Sequence, residues 1–209
     1  MSSSGDPSPA VTVLLVCTGN ICRSALAERL GRAYLDEALG EAAADIRLIS
    51  AGTRAVIGSE MHPDSALVLA GFGAQAGDFR AQQVSARHPA QAHLVLTMTR
   101  AHRREVLALE PRGLNRTFTL REAAALLEHV PADSGVTGPT LPDRVRGLVA
   151  ALATARTHRR VGGDEDDVRD PIGQPLEVQE EVGEAIVASL LPILGRLAAL
   201  NRVTPEQDA

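Results

Sequence analysis

The 209-residue chain contains no tryptophan, a single tyrosine and three phenylalanines. A ligand cleft walled by aromatic rings is therefore hard to build, and the one tyrosine, Tyr34, falls in a helical stretch. Lysine is absent too: all 21 basic residues are arginine, which reads as a GC-rich genome rather than as a mechanism. There are two cysteines, Cys17 and Cys22. With no secretory leader ahead of them, they predict a reducing, cytoplasmic setting rather than a disulfide-stapled secreted fold. No uninterrupted apolar run reaches the roughly 18 residues of a membrane span, so no membrane partner is expected. No histidine and carboxylate cluster has metal-ligand spacing, so neither metal nor other cofactor is expected. A net charge of −5 argues against a nucleic-acid partner. The oligomeric state stays open.

What is present, 44% hydrophobic and 22% charged residues, is the composition of one globular domain. Its expected limits are 11–200, between a Ser/Pro-rich disordered tail at 1–10 and a second tail at 201–209.

The stretch around which the chain is organised is Val11–Ser24, VTVLLVCTGNICRS. Val11–Val16 is a short apolar, β-branched run after Gly5, Pro7 and Pro9, which predicts a buried strand. Cys17 then opens a loop, and Arg23 follows after five intervening residues at the start of a helix. A tight strand-to-helix turn of this kind converges its backbone N–H groups on one point, and the helix N-terminus adds its positive dipole end. A thiol at such a focus is favoured as thiolate, and Ser24 is placed to donate a hydrogen bond to it. Arg23 supplies a planar fork for two oxygens of a tetrahedral oxyanion. Cys-x5-Arg alone fits equally a buried cysteine ending a strand with an arginine on a solvated helix. Gly19-Asn20 inside the loop favours the cradle, because asparagine tolerates the left-handed backbone that inward-curled N–H groups require.

Val16-Cys17-Thr18-Gly19-Asn20-Ile21-Cys22-Arg23-Ser24 resembles the phosphate-binding loop of the low-molecular-weight protein tyrosine phosphatases. The resemblance implies an α/β three-layer fold with a four-stranded parallel sheet in the order 2-1-3-4. It implies Cys17 as nucleophile, Arg23 as phosphoryl ligand and a distant Asp-Pro acid, which the chain supplies at Asp170-Pro171. Phosphate contacts are expected from Thr18, Gly19, Asn20, Ile21, Cys22, Arg23 and Ser24. Ser50 is expected to hydrogen-bond Asn20 and, with Ser24, to support the loop. The cleft walls are expected from Val56 and Ile57 on one side and Pro171 and Ile172 on the other. Phe79 and Gln82 depart from the family's usual His-x-Ala-Arg-Gln segment. The Cys17/Cys22 pair is expected to form a reversible disulfide under peroxide, with a buried inert Cys22 as the alternative.

Periodicity along the chain predicts helices at Ala25–Ala38, Pro63–Ala70, Ala101–Leu109, Leu120–His129, Asp143–Thr157 and Leu176–Leu200, the last kinked or split by Pro192. Strands are expected at Ile46–Ile49, His93–Met98 and Arg116–Thr119. His62 reads as a turn or cap residue, and Thr119 with Glu122 as a capping box. Arg100, Arg103 and Arg104 read as a solvated helix face. The segment 131–167 reads as an insertion with an extra helix and a mobile linker, whose Glu165, Asp166 and Asp167 are a solvated run.

The expected reaction is two-step phosphoryl transfer from a phosphorylated protein or small phosphate ester through a cysteinyl-phosphate. Arsenate reductase on the same fold is the alternative. Versions that regenerate through their own thiols need cysteines further downstream, and none follows Cys22, which leaves use of an external thiol. A small-metabolite phosphatase and a non-enzymatic oxyanion-binding module complete the set.

Overall fold

A computed structural model describes residues 11–135, 137–159 and 162–203. The tail expected at 1–10 lies outside those residues, as does the C-terminal tail from 204 onward. Four parallel strands, β1 (Val11–Cys17), β2 (Ile46–Gly52), β3 (Leu94–Thr97) and β4 (Thr117–Thr119), form one sheet in the order β2-β1-β3-β4. The central position of β1 follows from its sequence: Val13, Leu14, Leu15 and Val16 are apolar on both faces, and all are fully buried. Their alternation divides the core. Val11, Val13, Leu15 and Cys17 join the larger apolar cluster, while Leu14 and Val16 join a smaller one with Val84, Ala92, Val95 and Val106.

Among the described residues, seven helices connect and cover the strands: α1 (Arg23–Leu39), α2 (Pro63–Gly71), α3 (Arg87–Gln91), α4 (Arg100–Leu109), α5 (Leu120–Leu127), α6 (Leu141–His158) and α7 (Leu176–Asn201). Side chains of α1, α2, α5, α6 and α7 fill the large cluster, and Val106 of α4 belongs to the small one. The capping box at the head of α5 is present, with Thr119 Oγ1 accepting from the Glu122 N–H and Glu122 accepting from the Thr119 N–H. A second closes the head of α6 between Thr140 and Asp143.

Three expectations need correction. α7 is a single helix through Pro192, so it is not split there. Ile186 and Leu190 before the proline, and Ile193, Leu194 and Leu197 after it, are all buried, so packing on both sides offsets the lost backbone hydrogen bond. α7 is also long and apolar enough to cross a membrane, but half of that apolar stretch is buried inside the fold. Second, the acidic run is solvated only in part: Glu165 is exposed as expected, but Asp166 and Asp167 are not. Asp166 is buried and takes two hydrogen bonds from Arg159, at 2.7 and 3.0 Å, while Asp167 accepts from the backbone N–H and Nε of Arg100. Third, Arg100 and Arg103 are therefore not a solvated face: Arg103 donates to the Thr117 carbonyl at 3.1 Å, and only Arg104 is exposed.

Candidate active site

Cys17 is the last paired residue of β1, opposite Gly52 of β2, and the chain turns there into α1. Five of the loop carbonyls have backbone partners beyond the loop. Cys17, Thr18 and Gly19 accept from the N–H groups of Thr53, Arg54 and Val56, Ile21 accepts from His62, and Cys22 accepts from Leu26. In a trans peptide the next N–H points opposite to the carbonyl. The amides of Thr18, Gly19, Asn20, Cys22 and Arg23 therefore face the other way. The first turn of α1 carries no acidic side chain to compete for an anion there.

Asn20 holds this curl. Its φ of 55 is the only left-handed non-glycine value among the described residues. Its buried amide donates to Ser24 Oγ at 3.0 Å and Ser50 Oγ at 2.8 Å, and its Oδ1 accepts from the Gln82 N–H at 2.8 Å. Because Ser24 Oγ already accepts from Asn20, its own hydrogen is free for Cys17 Sγ, 2.9 Å away. Ser50 thus sits where the resemblance placed it. Gln82, although a departure from the family pattern, contributes both its backbone and its side chain, the latter donating to the Ser50 carbonyl at 2.8 Å. Phe79 is buried in the core instead. Gly52 was not singled out by the sequence, yet it is required: a Cβ there would stand 2.3 Å from the Thr18 carbonyl oxygen and 3.0 Å from the Asn20 nitrogen.

Arg23, buried at the base of the cleft, donates to the Val168 carbonyl at 3.0 Å and pairs with Asp170 Oδ2 at 2.8 Å. Its Nε is buried with no protein partner, leaving a donor for an anion's oxygen. Asp170 is half-exposed on a loop tied down along its length. The Val168 N–H donates to the Met98 carbonyl at 2.7 Å, Arg100 holds Asp167, and buried Gln179 of α7 donates to the Pro171 carbonyl at 2.7 Å.

 The cleft between these parts measures ≈ 300 Å³. Another cavity, ≈ 410 Å³, shares no lining residue with it. Cys17, Thr18, Gly19, Ile21, Cys22 and Arg23 form the base of the cleft, with Val56, Ile172, Asp170 and Arg54 around them. Asn20 and Ser24 are fully buried and do not line it, so they support the loop rather than present side chains to a ligand. Of the four expected wall residues, Val56 and Ile172 line the cleft. Ile57 is 72% exposed outside it, and Pro171 is buried with its carbonyl held by Gln179. Ile21 adds an apolar side chain, and Arg54 a cation, that the sequence reading did not assign to the walls. His62 is a turn residue at the head of α2, as expected, and its N–H donates to the Ile21 carbonyl.

His102 was also missed. It is buried on α4, with Nε2 at 2.8 Å from Thr18 Oγ1 and Nδ1 at 2.8 Å from Thr99 Oγ1. Thr99 Oγ1 accepts the His102 N–H at 3.2 Å, so its own hydrogen goes to Nδ1, and the network assigns the ring proton to Nε2. Burial, reinforced by the charge of Arg23, pushes His102 down to about 4. The unfolded chain takes up this proton near 6.5 and the native state only near 4, so stability is lost as pH falls through that window. The expected loss by pH 4 is about 3 kcal/mol. Urea midpoints at pH 7.5 and 4.5 should therefore differ more in the wild type than in His102→Gln; an equal difference would show that His102 is not held neutral.

Burial pushes the Cys22 thiol up to about 11, and a hydrogen bond with Ser65 offsets this only in part. At pH 8 about one Cys22 in a thousand is ionised. Both cysteines are free thiols. A disulfide with oxidised Cys17 needs the Cys22 thiolate, so after mild peroxide the ratio of disulfide to sulfinic Cys17 should rise roughly tenfold per pH unit. Mass spectrometry finding a ratio independent of pH between 7 and 9 would remove Cys22 from that role.

Comparison with known proteins gives this geometry its relatives. The family model "Low molecular weight phosphotyrosine protein phosphatase" matches residues 12–136. The "Probable low molecular weight protein-tyrosine-phosphatase EpsP" of Ralstonia solanacearum is 36% identical over 111 residues, covering 53% of this chain and 71% of the relative. A protein-arginine-phosphatase of Geobacillus stearothermophilus is 27% identical over 166 residues, covering 79% of this chain and 82% of the relative. Among solved structures, the low molecular weight protein tyrosine phosphatase from T. tengcongensis superposes with a TM-score of 0.64 at 27% identity, over 89% of this chain and 99% of that one. The chain belongs to the low molecular weight phosphotyrosine protein phosphatase family.

Proposed function

We propose that this family member hydrolyses phosphotyrosine in proteins through a phosphoryl group carried on Cys17. The observation that carries the reading is the placement of Cys17 Sγ, 2.9 Å from the Ser24 hydroxyl, at the base of a cleft that also holds Arg23 and Asp170. In the first step the sulfur attacks phosphorus in line with the leaving oxygen. The S–P bond forms as the P–O bond breaks, and the Asp170 carboxyl gives its proton to the departing phenolate. The loop amides and Arg23 hold the equatorial oxygens, where charge develops. The incoming oxygens take the Arg23 fork from Asp170, and the released carboxyl faces the leaving group. In the second step Asp170 takes a proton from water, whose oxygen attacks phosphorus and releases the sulfur and inorganic phosphate.

A second reading, phosphoarginine, is favoured by the greater span of the chain matched by the arginine phosphatase, 79% against 53%. The cleft favours the aryl ester. Its apolar side chains are Ile21, Val56 and Ile172, its rim carries Arg54, and among the described residues Asp170 is the only carboxylate lining it. A guanidinium-bearing substrate meets the Arg54 cation there, and Asp170, the acid that faces the leaving group, is the one carboxylate in the lining to offset it. Arsenate reduction is not favoured: the matched relatives are phosphatases, and no cysteine outside the loop is there to regenerate Cys17. Turnover of phosphotyrosine, phosphoserine and phosphoarginine peptides of one sequence tests the assignment: phosphotyrosine should give the highest kcat/KM, and a preference for phosphoarginine would overturn it.

Aliphatic walls bury a phenyl ring but lack the ring-on-ring contribution of about 0.5–1.5 kcal/mol. Ile172→Tyr is accordingly expected to lower KM for phosphotyrosine peptides several-fold while leaving alkyl phosphates nearly unchanged. An unchanged or raised KM would show that residue 172 does not meet the ring. We further place the protein in the cytoplasm, a setting in which both thiols stay reduced; labelling both cysteines with a thiol reagent in lysates made under acid quench would test this.

A further inference from the structure

We propose that the cavity at the end of the sheet opposite the phosphate loop binds a small organic phosphate with a flat apolar body, a ligand of the nucleotide class. The inference is independent of the catalytic reading. The cavity, ≈ 410 Å³, lies where α3, the 3-10 turn Pro111–Arg116 and α6 meet, and its size falls within the roughly 300–1,000 Å³ of small-molecule sites. His93, just ahead of β3, marks its place in the fold: its Nδ1 accepts the Thr12 N–H at 3.1 Å, near the start of β1. From Thr12 to Cys17 the strand covers about 17 Å, so the cavity and the cleft lie at opposite ends of the sheet.

Its charge is one-sided. Among the described residues, Arg112, Arg116 and Arg146 line it, and no carboxylate does. Arg146 pairs with Asp143 on its own helix. Among the described residues, Arg116 donates one hydrogen bond, to the Pro89 carbonyl at 3.1 Å, and its buried Nε has no partner. In a chain of net charge −5, the cavity gathers three arginines, of which, among the described residues, Arg146 alone has an acidic partner, and a bound anion offsets the charge they place there. Each fork matches two phosphate oxygens. Burial, with Arg146 and Arg116 adding to it, holds His93 below its ordinary range. The ring is then neutral, and with Nδ1 accepting from Thr12 its proton sits on Nε2, one further donor.

The remaining surface is apolar and low. Ala90, Ala92, Val149 and Ala150 present only small side chains, which leaves room for a planar ring against them. Asn115 and Gln91 supply amides at the border for the polar edge of such a ring. Phosphate oxygens on the arginines and a heterocycle on the alanines together use every kind of group the cavity offers.

The probe is the non-hydrolysable adenosine 5′-(α,β-methylene)diphosphate, titrated calorimetrically into Arg23→Ala protein, which weakens competing phosphate binding in the catalytic cleft. One equivalent is expected to bind. The added substitutions Arg112→Ala and Arg146→Ala, at two exposed positions, should weaken it by about tenfold or more. Adenosine alone and pyrophosphate alone should each bind more weakly than the probe. Should Arg23→Ala fail to fold, the same arginine pair is compared in the wild type, where binding in the catalytic cleft is a separate event that the pair does not touch. No binding, or binding indifferent to Arg112 and Arg146, would overturn the site; pyrophosphate binding as tightly as the probe would overturn the nucleotide class.

Discussion

Cys17→Ser is expected to abolish turnover of every phosphate ester while phosphate and vanadate still bind. The serine hydroxyl is not ionised near neutral pH, so the nucleophile is lost. The cradle survives, because its donors are backbone amides fixed by the carbonyl partners at Thr53, Arg54, Val56 and His62 and by the Asn20 side chain. Cys22→Ser is the control: Cys22 caps α1 without a side-chain cap hydrogen bond, and the variant should keep substantial activity. Steady-state rates on p-nitrophenyl phosphate, with calorimetric titration of vanadate, measure both halves. An active Cys17→Ser protein beside a dead Cys22→Ser protein would reassign the nucleophile.

Asp170→Asn should slow esters with poor leaving groups by ~10²–10⁴-fold and those with good leaving groups far less, since only the former need a proton as the P–O bond breaks. The carboxylates nearby in sequence cannot substitute. Asp166 is committed to Arg159 and Asp167 to Arg100, and neither lines the cleft. The substitution also removes the 2.8 Å ion pair with Arg23, so the affinity for inorganic phosphate must be measured alongside. Retained phosphate affinity with a leaving-group-dependent rate loss identifies the acid; a uniform loss across leaving groups would make Asp170 a positioning residue for Arg23.

The parts of the site that the sequence made legible are those whose geometry is local. Cys17, Asn20, Arg23 and Ser24 lie within eight residues, and the left-handed turn at Asn20 follows from its residue type and its place after Gly19. Ser50 and Asp170 were reached through the family resemblance. What was missed depends on chain segments meeting. His102 touches Thr18 across 84 positions, and nothing in the pattern of α4 marks that histidine as facing the loop. Gly52 carried a usable signal, since a glycine closing a strand marks close backbone approach, here to Thr18. The acidic run at 164–167 has the composition of a solvated linker, and only Arg100 and Arg159, fixed in space by the fold, distinguish it from one. Pro192 shows the same limit from the other side: local propensity predicts a break, and burial on both flanks of the proline overrides it.

The central claim is that the phosphoryl group passes through Cys17. Asp170→Asn protein mixed with p-nitrophenyl phosphate, quenched in acid within the first turnovers and digested for mass spectrometry, tests it most directly. The good leaving group lets the first step proceed, and loss of the base that activates water slows the second. The account predicts one phosphoryl group on the peptide carrying Cys17, localised to that residue and absent in Cys17→Ser. Product formed with no phosphorylated Cys17, or with the label on Cys22 or another side chain, would contradict it.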